Sequence, residues 1–261
     1  MELGLRGRRA LVTGASKGIG LACAETLAAE GCDIVLVARS AGDLAAAAAR
    51  LRGTGNIAVS TRALDLSDSR SIDALAAEFP DTDILVNNAG AIPGGSLDEI
   101  DEARWRAAWD LKVFGYIHMC RRFYASMRDR GTGGVIVNVI GAAGESPDAD
   151  YIAGSAGNAS LMAFTRALGG RAPADGLRVV GINPGPILTD RLEALLRRRA
   201  GETLGDPGRW RETMADMPFG RAGRVEEVAA LVAFLASDLS GYTSGTVVTV
   251  DGGMASRRKA F

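Results

Sequence analysis

Short apolar runs alternate with amphipathic stretches along the whole chain. Residues 10–12, 33–37, 57–59, 84–86, 135–139, 179–182 and 246–250 are brief runs rich in Val, Ile and Leu, the length and composition of strands. Between them, apolar positions recur at helical spacing over 17–30, 44–51, 67–79, 102–129, 151–171 and 225–236. Strands without polar alternation suit a parallel sheet covered on both faces. Strand–helix alternation predicts an α/β fold, a doubly wound Rossmann sheet of about seven strands. No linker, repeat or break in composition divides the chain, so 1–261 is expected to be a single domain.

Residues 189–221 break the rhythm. They fall between a strand and a helix, are too long for an ordinary connection, and mix Leu192, Leu195, Leu196, Trp210, Met214, Met217 and Phe219 with many charges. At the carboxyl end of a sheet such a segment is expected to act as a substrate lid.

Composition removes several function classes. Apolar residues make up 47% of the 261 positions, enough for a full core. No apolar run approaches the ~18 residues of a membrane span, and the N-terminus reads as leading straight into a strand without a signal peptide. With 30 basic and 31 acidic residues, nothing favours nucleic acid. Arg197–Arg199 and the tail Arg257-Arg258-Lys259 read as solvated charge. Cys23, Cys32 and Cys120 lack metal or disulfide spacing, so reduced buried thiols in a cytoplasmic protein without a metal are expected. His118 is the only histidine and lies in a helical stretch, where a packed or surface role is the ordinary one.

The first strand runs into Thr13-Gly14-Ala15-Ser16-Lys17-Gly18-Ile19-Gly20 and then a helix. Glycines there let backbone approach a pyrophosphate, and the helix offers free N–H groups and the positive end of its dipole. The second strand ends Val37-Ala38-Arg39-Ser40, without the acid that accepts from a ribose 2′-OH. Arg39 and Lys17 suit a 2′-phosphate instead. The expected cofactor is therefore NADP(H), with NAD(H) the alternative.

Three later motifs follow in order: Asn87-Asn88-Ala89-Gly90, Asn183-Pro184-Gly185-Pro186-Ile187-Leu188-Thr189 and Asp251-Gly252-Gly253. Together with Thr13 to Gly20, they resemble the short-chain dehydrogenase/reductase family over nearly the whole chain. The resemblance implies adenine contacts at Asp65 and Leu66, and ribose and nicotinamide-side contacts at Asn87, Ala89 and Gly90. It also implies contacts from the Pro184-Gly185 turn and nicotinamide amide contacts at Ile187 and Thr189. A small-molecule substrate is implied, and a homotetramer or homodimer joined through the two long helices, the last helix and the last strand.

The family's redox step uses Ser, Tyr and Lys in the pattern S-x12-Y-x3-K, with an Asn on an earlier helix. Tyr and Lys share a helix face at i, i+4. Here the strand end Asn138-Val139-Ile140 and the helix segment 161–168 set the register. Joined without a gap they bring Gly141 to the Ser position, Gly154 to the Tyr position and Asn158 to the Lys position. Lys112 stands where the Asn belongs. A three-residue deletion would make Tyr151 the family Tyr, but its i+4 partner is then Ser155. The family's Asn and Lys have exchanged helices as Lys112 and Asn158. Tyr151 lies about 4.5 Å back along the helix from Gly154 and roughly 60° round, within reach of the space that glycine leaves. One reading is a relocated site, Tyr151 the acid/base and Lys112 the ammonium that tunes it, with Asn158 beside them. The other has Lys112 solvated and Tyr151 packed at a helix start. The small residues Gly141, Gly154, Ser155, Ala156 and Gly157 fit a roomier cavity or close helix packing. An oxidoreductase acting on a mostly apolar carbonyl or alcohol is the leading function. A cofactor-binding sensor or partner subunit, or non-redox catalysis on the same fold, are the alternatives.

Overall fold

The computed structural model describes residues 2–53 and 55–257; Arg258 and Lys259 of the basic tail lie outside them. Seven strands form one sheet: β1 (Arg9–Thr13), β2 (Asp33–Ala38), β3 (Val59–Ala63), β4 (Ile84–Asn87), β5 (Gly134–Val139), β6 (Leu177–Pro184) and β7 (Val247–Val250). Their order is β3-β2-β1-β4-β5-β6-β7, and every neighbouring pair is parallel. The helices are α1 (Gly18–Ala29), α2 (Ala41–Leu51), α3 (Ser69–Glu78), α4 (Glu102–Trp109), α5 (Gly115–Arg130), α6 (Ile152–Arg171), α7 (Asp190–Leu204) and α8 (Val225–Ala236).

Successive strand residues feed opposite faces. Ala10 and Val12 join Ile34, Leu36 and Val86 against α1, α2 and α8, while Leu11 joins Val35, Val37 and Leu85 against α3 and α5. Each such side chain is worth about 1.5–3 kcal/mol when fully buried. Double coverage explains why the central strands lack the polar alternation of a half-exposed sheet.

Two boundaries depart from the sequence pattern. The third strand is Val59–Ala63, not 57–59. It is the sheet's edge and only half-buried, so its run of Ser60, Thr61 and Arg62 is tolerated where an inner strand would be apolar. Helix α3 starts at Ser69, because Asp68 caps it by accepting from the Arg70 N–H at 3.0 Å.

The stretch expected as one helix from 102 to 129 is two α-helices joined by a single π-turn, Asp110–Phe114. Such turns concentrate at functional sites, and this one carries Lys112. Residues 189–221 are folded, as α7 and two short 3₁₀ turns, Pro207–Met214 and Pro218–Gly220. They enclose a small core of their own around Leu196, Ala200, Trp210 and Met214. Leu195 and Phe219 of the same segment are exposed. Among the described residues no helix is long and apolar enough to cross a membrane.

Candidate active site

The strand order reverses between β1 and β4, and their carboxyl ends open into a cleft of about 1540 Å³. Thr13 fixes its floor. The Thr13 Oγ1 accepts from the N–H groups of Asn88 at 2.9 Å and Ala89 at 3.0 Å, tying β1 to the loop after β4. The Asn88 amide donates to the Thr13 and Gly14 carbonyls.

The glycine turn is shaped for close approach. Gly14 has a φ of +64°, and a Cβ on Gly20 would overlap the Gly14 carbonyl. The α1 N-terminus has no side-chain cap at Lys17, whereas Ser40, Asp68, Asp101 and Thr189 cap their own helices. Its first N–H groups are therefore left without a side-chain acceptor beside the cleft, a favourable seat for an anion. Gly14, Ser16, Lys17, Ile19, Arg39 and Leu66 line this end, and Ala89, Gly90, Pro184, Gly185, Ile187 and Thr189 continue along it. Neither Lys17 nor Arg39 makes an ion pair among the described residues.

Four of the expected contact residues do not line the cleft. Asn87 is fully buried and donates to the Asn138 Oδ1 at 2.9 Å, part of a polar strip that continues to Thr165. A buried amide must find partners inside the protein, and Asn138 on the neighbouring strand supplies one. The Asp65 carboxylate accepts from the Ser67 N–H and hydroxyl, which hold it below the usual carboxylate range, with a smaller contribution from the charge of Arg39. Gly18 and Gly20 support the turn from behind. Gly18 admits the Thr189 methyl, with a Cβ there only 3.3 Å from it. Thr189 itself caps α7, accepting from the Leu192 N–H at 3.4 Å.

At the inner end stand Gly141, Lys112, Asn158 and Tyr151. Lys112 is buried rather than solvated, only 7% exposed. Its Nζ donates to the Val139 carbonyl and to the Tyr116 hydroxyl, both at 2.9 Å. Tyr116 in turn donates to the same carbonyl, at 2.9 Å. Two of the three ammonium donors are thus spent on the protein, and no hydrogen bond joins Lys112 to Tyr151 among the described residues. Burial, and secondly the charge of Arg191, bring the Lys112 ammonium down from 10.5 to about 7.

Asn158 is buried with its amide nitrogen against Gly141, where a Cβ would stand 2.7 Å from Nδ2. Its Oδ1 has no partner among the described residues. Such an acceptor, buried at a cleft wall, is costly unless a ligand or water donates to it.

Tyr151 precedes α6 as its N-cap residue, with φ −136° and ψ 38°. Its ring lies over Gly154, so that a Cβ there would overlap it. The phenol therefore fills the room left at the position that the gap-free register assigns to the family Tyr. The ring packs against the cluster of Ile92, Ile100, Ala108 and Ala153. Burial raises its pKa, and the charge of the Arg191 guanidinium opposes this. Ser155, four residues on, is buried and holds the preceding loop through the Asp148 N–H at 2.9 Å. Gly157 admits Trp109 and Val113, to which a Cβ would come within 3.2 Å. The small residues thus divide between the cavity and helix packing.

Sequence reading missed two participants. Tyr116 shares a face with Lys112 at i+4, a spacing that could have signalled it. Arg191 follows Thr189 by two residues and was hidden among the many charges of that segment. His118 lies outside the cleft, 3.0 Å from the Asp73 carboxylate. The three cysteines are buried free thiols, each pushed up to about 12 chiefly by burial, and so are poor nucleophiles.

Comparison with known proteins agrees with this architecture. Residues 14–255 match the family model described as enoyl-(acyl carrier protein) reductase. The chain is 38% identical over 257 residues to cis-4-hydroxycyclohexanecarboxylate dehydrogenase of Sinomonas cyclohexanicum, spanning 94% of this chain and 96% of that one. It is 34% identical over 259 residues to the 3-oxoacyl-[acyl-carrier-protein] reductase FabG of Escherichia coli (strain K12), spanning 97% and 99%. The structure of L-sorbose reductase from Gluconobacter frateurii, complexed with NADPH and L-sorbose, superposes with a TM-score of 0.92 at 33% identity, covering 99% of this chain and all (100%) of that one. This chain belongs to the short-chain dehydrogenase/reductase family.

Proposed function

We propose that the protein is an NADP(H)-dependent oxidoreductase for a mostly apolar carbonyl or alcohol, with Tyr151 as its proton donor and acceptor. The observation that carries this reading is the Tyr151 ring in the space above Gly154, which restores a phenol to the cleft although the aligned position holds no side chain. NADPH is bound in the sorbose reductase relative; NAD⁺ is bound in a xylitol dehydrogenase of the same fold, at 25% identity. NAD(H) is accordingly the secondary cofactor.

The cleft fits a dinucleotide. Gly14, Ser16, Lys17 and Ile19, at the uncapped start of α1, would hold the pyrophosphate, with Gly18 and Gly20 shaping the turn. Arg39 and Lys17 would hold the 2′-phosphate. Leu66, with Asp65 behind it, would flank the adenine, and Asn87 would act from behind the wall formed by Ala89 and Gly90. Pro184, Gly185, Ile187 and Thr189 would meet the nicotinamide side. When bound, the cofactor supplies or accepts the hydride. The chain must handle the proton, and a phenol is suited to that once its charged form is stabilised. Asn158 offers an unpartnered acceptor in the cleft where the family Lys meets the ribose. Lys112 brings an amine into the cavity whose charge burial makes titratable near pH 7, acting through its bonds to Tyr116 and Val139 and not through direct contact with Tyr151.

Residues 189–221 act as the lid of this single-domain protein, for Arg191, Leu192, Leu195 and Arg198 line the cleft from α7. The protein works as a homotetramer or homodimer in the cytoplasm. Exposed Phe114 and Phe234 on the helices implied as interfaces support the assembly, and the reduced thiols support the compartment. The competing reading, a cofactor-binding protein without redox activity, draws on Ser155 at the i+4 position from Tyr151.

One experiment separates the readings. NADPH and NADH binding are measured by nicotinamide fluorescence, then absorbance loss is followed across a panel of cyclic and linear carbonyls. Binding with no turnover across the panel would remove the redox reading. Arg39→Ala is expected to weaken NADPH binding about tenfold to hundredfold, the worth of one or two charge-assisted hydrogen bonds, and to leave NADH unchanged. Equal losses for both would show that Arg39 does not read the 2′-phosphate.

A further inference from the structure

In the family pattern, the cation that stabilises the phenolate comes from the same helix as the Tyr, four residues on. Here that position is Ser155, its hydroxyl committed to the backbone of Asp148. Lys112, the other candidate, is bonded to Tyr116 and Val139. A further cation at this end of the cleft comes from another element. Arg191 lies in the first turn of α7, and its Nη2 donates to the Ile92 carbonyl at 2.7 Å. Ile92 belongs to the cluster on which the Tyr151 ring packs. The guanidinium is thus anchored by a backbone carbonyl at the wall that also holds the ring, and both side chains line the cleft.

We infer that Arg191 is the positioning residue that takes over the part of the missing helical Lys, holding the Tyr151 phenolate from the lid segment. This rests on the reading of Tyr151 as the acid/base.

The chemistry follows from the placement. In the reduction direction, the substrate carbon gains the hydride and its oxygen gains the Tyr151 proton. The Tyr151 O–H bond breaks, a new O–H bond forms on the product, and the phenolate is left against the guanidinium. The proton is regained from solvent. In oxidation the order reverses, and the phenolate removes the alcohol proton. A charge left in a buried phenolate is expensive without a cation. A guanidinium stays protonated at every working pH, so it serves this purpose without titrating itself.

The other charged groups lining this end are Lys112 on the π-turn, Glu99 and Arg104 before and within α4, Asp148 and Asp150 ahead of α6, and Arg198 on α7. Glu99 is held by the Ser96 N–H and hydroxyl, and Arg104 donates to the Glu99 carbonyl. Asp148 accepts from the Asp150 N–H, and Arg198 reaches toward Glu202. Of these groups Arg191 is the one whose charge favours the ionised Tyr151 hydroxyl, in opposition to the larger effect of burial.

The test reads the phenol directly in the free protein. Ultraviolet absorbance of tyrosinate is titrated in the parent and in Tyr151→Phe, and the difference isolates Tyr151 from the other three tyrosines. The same difference is taken on the backgrounds Arg191→Gln and Arg191→Lys. Gln keeps a donor for the Ile92 carbonyl and removes the charge; Lys keeps the charge. An upward shift of about one pH unit or more is expected with Gln, with Lys restoring most of it. The basic limb of the kcat/KM profile for alcohol oxidation should move in the same direction. An unchanged Tyr151 midpoint in Arg191→Gln overturns the inference, even where Tyr151→Phe is inactive. Full turnover in Tyr151→Phe instead removes the acid/base reading, and with it the catalytic part of this one. A shift with Gln that Lys does not reverse would also count against a charge effect.

Discussion

Tyr151→Phe is expected to lower kcat for carbonyl reduction by about 10²–10⁴-fold, the usual worth of a positioned general acid, with NADPH affinity unchanged. The substitution removes only the hydroxyl. The ring keeps its packing against Ile92, Ile100 and Ala153 and its place above Gly154, so the fold and the dinucleotide end of the cleft stay intact. Stopped-flow measurement of NADPH oxidation gives the chemical step, and fluorescence titration gives the affinity. If turnover persists at the parent's level, the proton comes from another group and Tyr151 is a packing residue. The neighbouring Tyr116 is no substitute. Burial, and secondly the charge of Cys120, raise its phenol well above the ordinary value, and its proton is given to the Val139 carbonyl.

The second large effect concerns stability. Lys112→Met is expected to make the protein more stable at pH 6 than its parent, by an amount that shrinks as the pH rises. Burial lowers the folded-state value to about 7 from 10.5. At 1.36 kcal/mol for each pKa unit, the charged form is disfavoured in the folded state by an energy on the order of a few kcal/mol. The sign follows from proton counting. Below pH 7 both the folded and unfolded chains carry the Lys112 proton, and the full cost of the buried charge is present. Between 7 and 10.5 the unfolded chain binds more protons than the folded one, so parent stability rises with pH. Met fills the stem's volume without the charge. Its loss of the ammonium leaves the Val139 carbonyl still bonded by Tyr116. Urea midpoints at pH 6 and pH 9.5 check this: a variant less stable at pH 6, or a difference independent of pH, would refute it. Functional sites commonly hold groups with values shifted in this way at a cost in stability.

Much of the fold was legible before any tertiary contact was considered. Strand and helix spacing follow from side-chain geometry over a few residues, which is why the inner strands and α1, α2, α6 and α8 appear close to where the pattern sets them. The glycine turn was legible for the same local reason: Gly14 and Gly20 must lack side chains whatever else surrounds them. The edge strand β3 was misread because apolar runs mark strands covered on both faces, and β3 is covered incompletely. Asn87 looked like a contact residue because it shares a motif with Asn88, Ala89 and Gly90, which line the cleft. Only the sheet reveals that it faces Asn138, fifty-one positions away in the chain.

The inner end of the cleft divides in the same way. From the chain alone, the gap-free register reads Gly141, Gly154 and Asn158 at the positions of the family's Ser, Tyr and Lys, and Lys112 at that of its Asn. Tertiary structure decided what fills the gaps. Tyr151 turns back over Gly154 because, as a residue outside the helix, it is free of helical φ and ψ. Lys112 is buried because the π-turn carries it in beneath Val139. Arg191 reaches Tyr151 from forty positions away, tied to Ile92 across ninety-nine. Local patterns record what a residue needs from its immediate neighbours, and a cation brought by a separate helix leaves no such record.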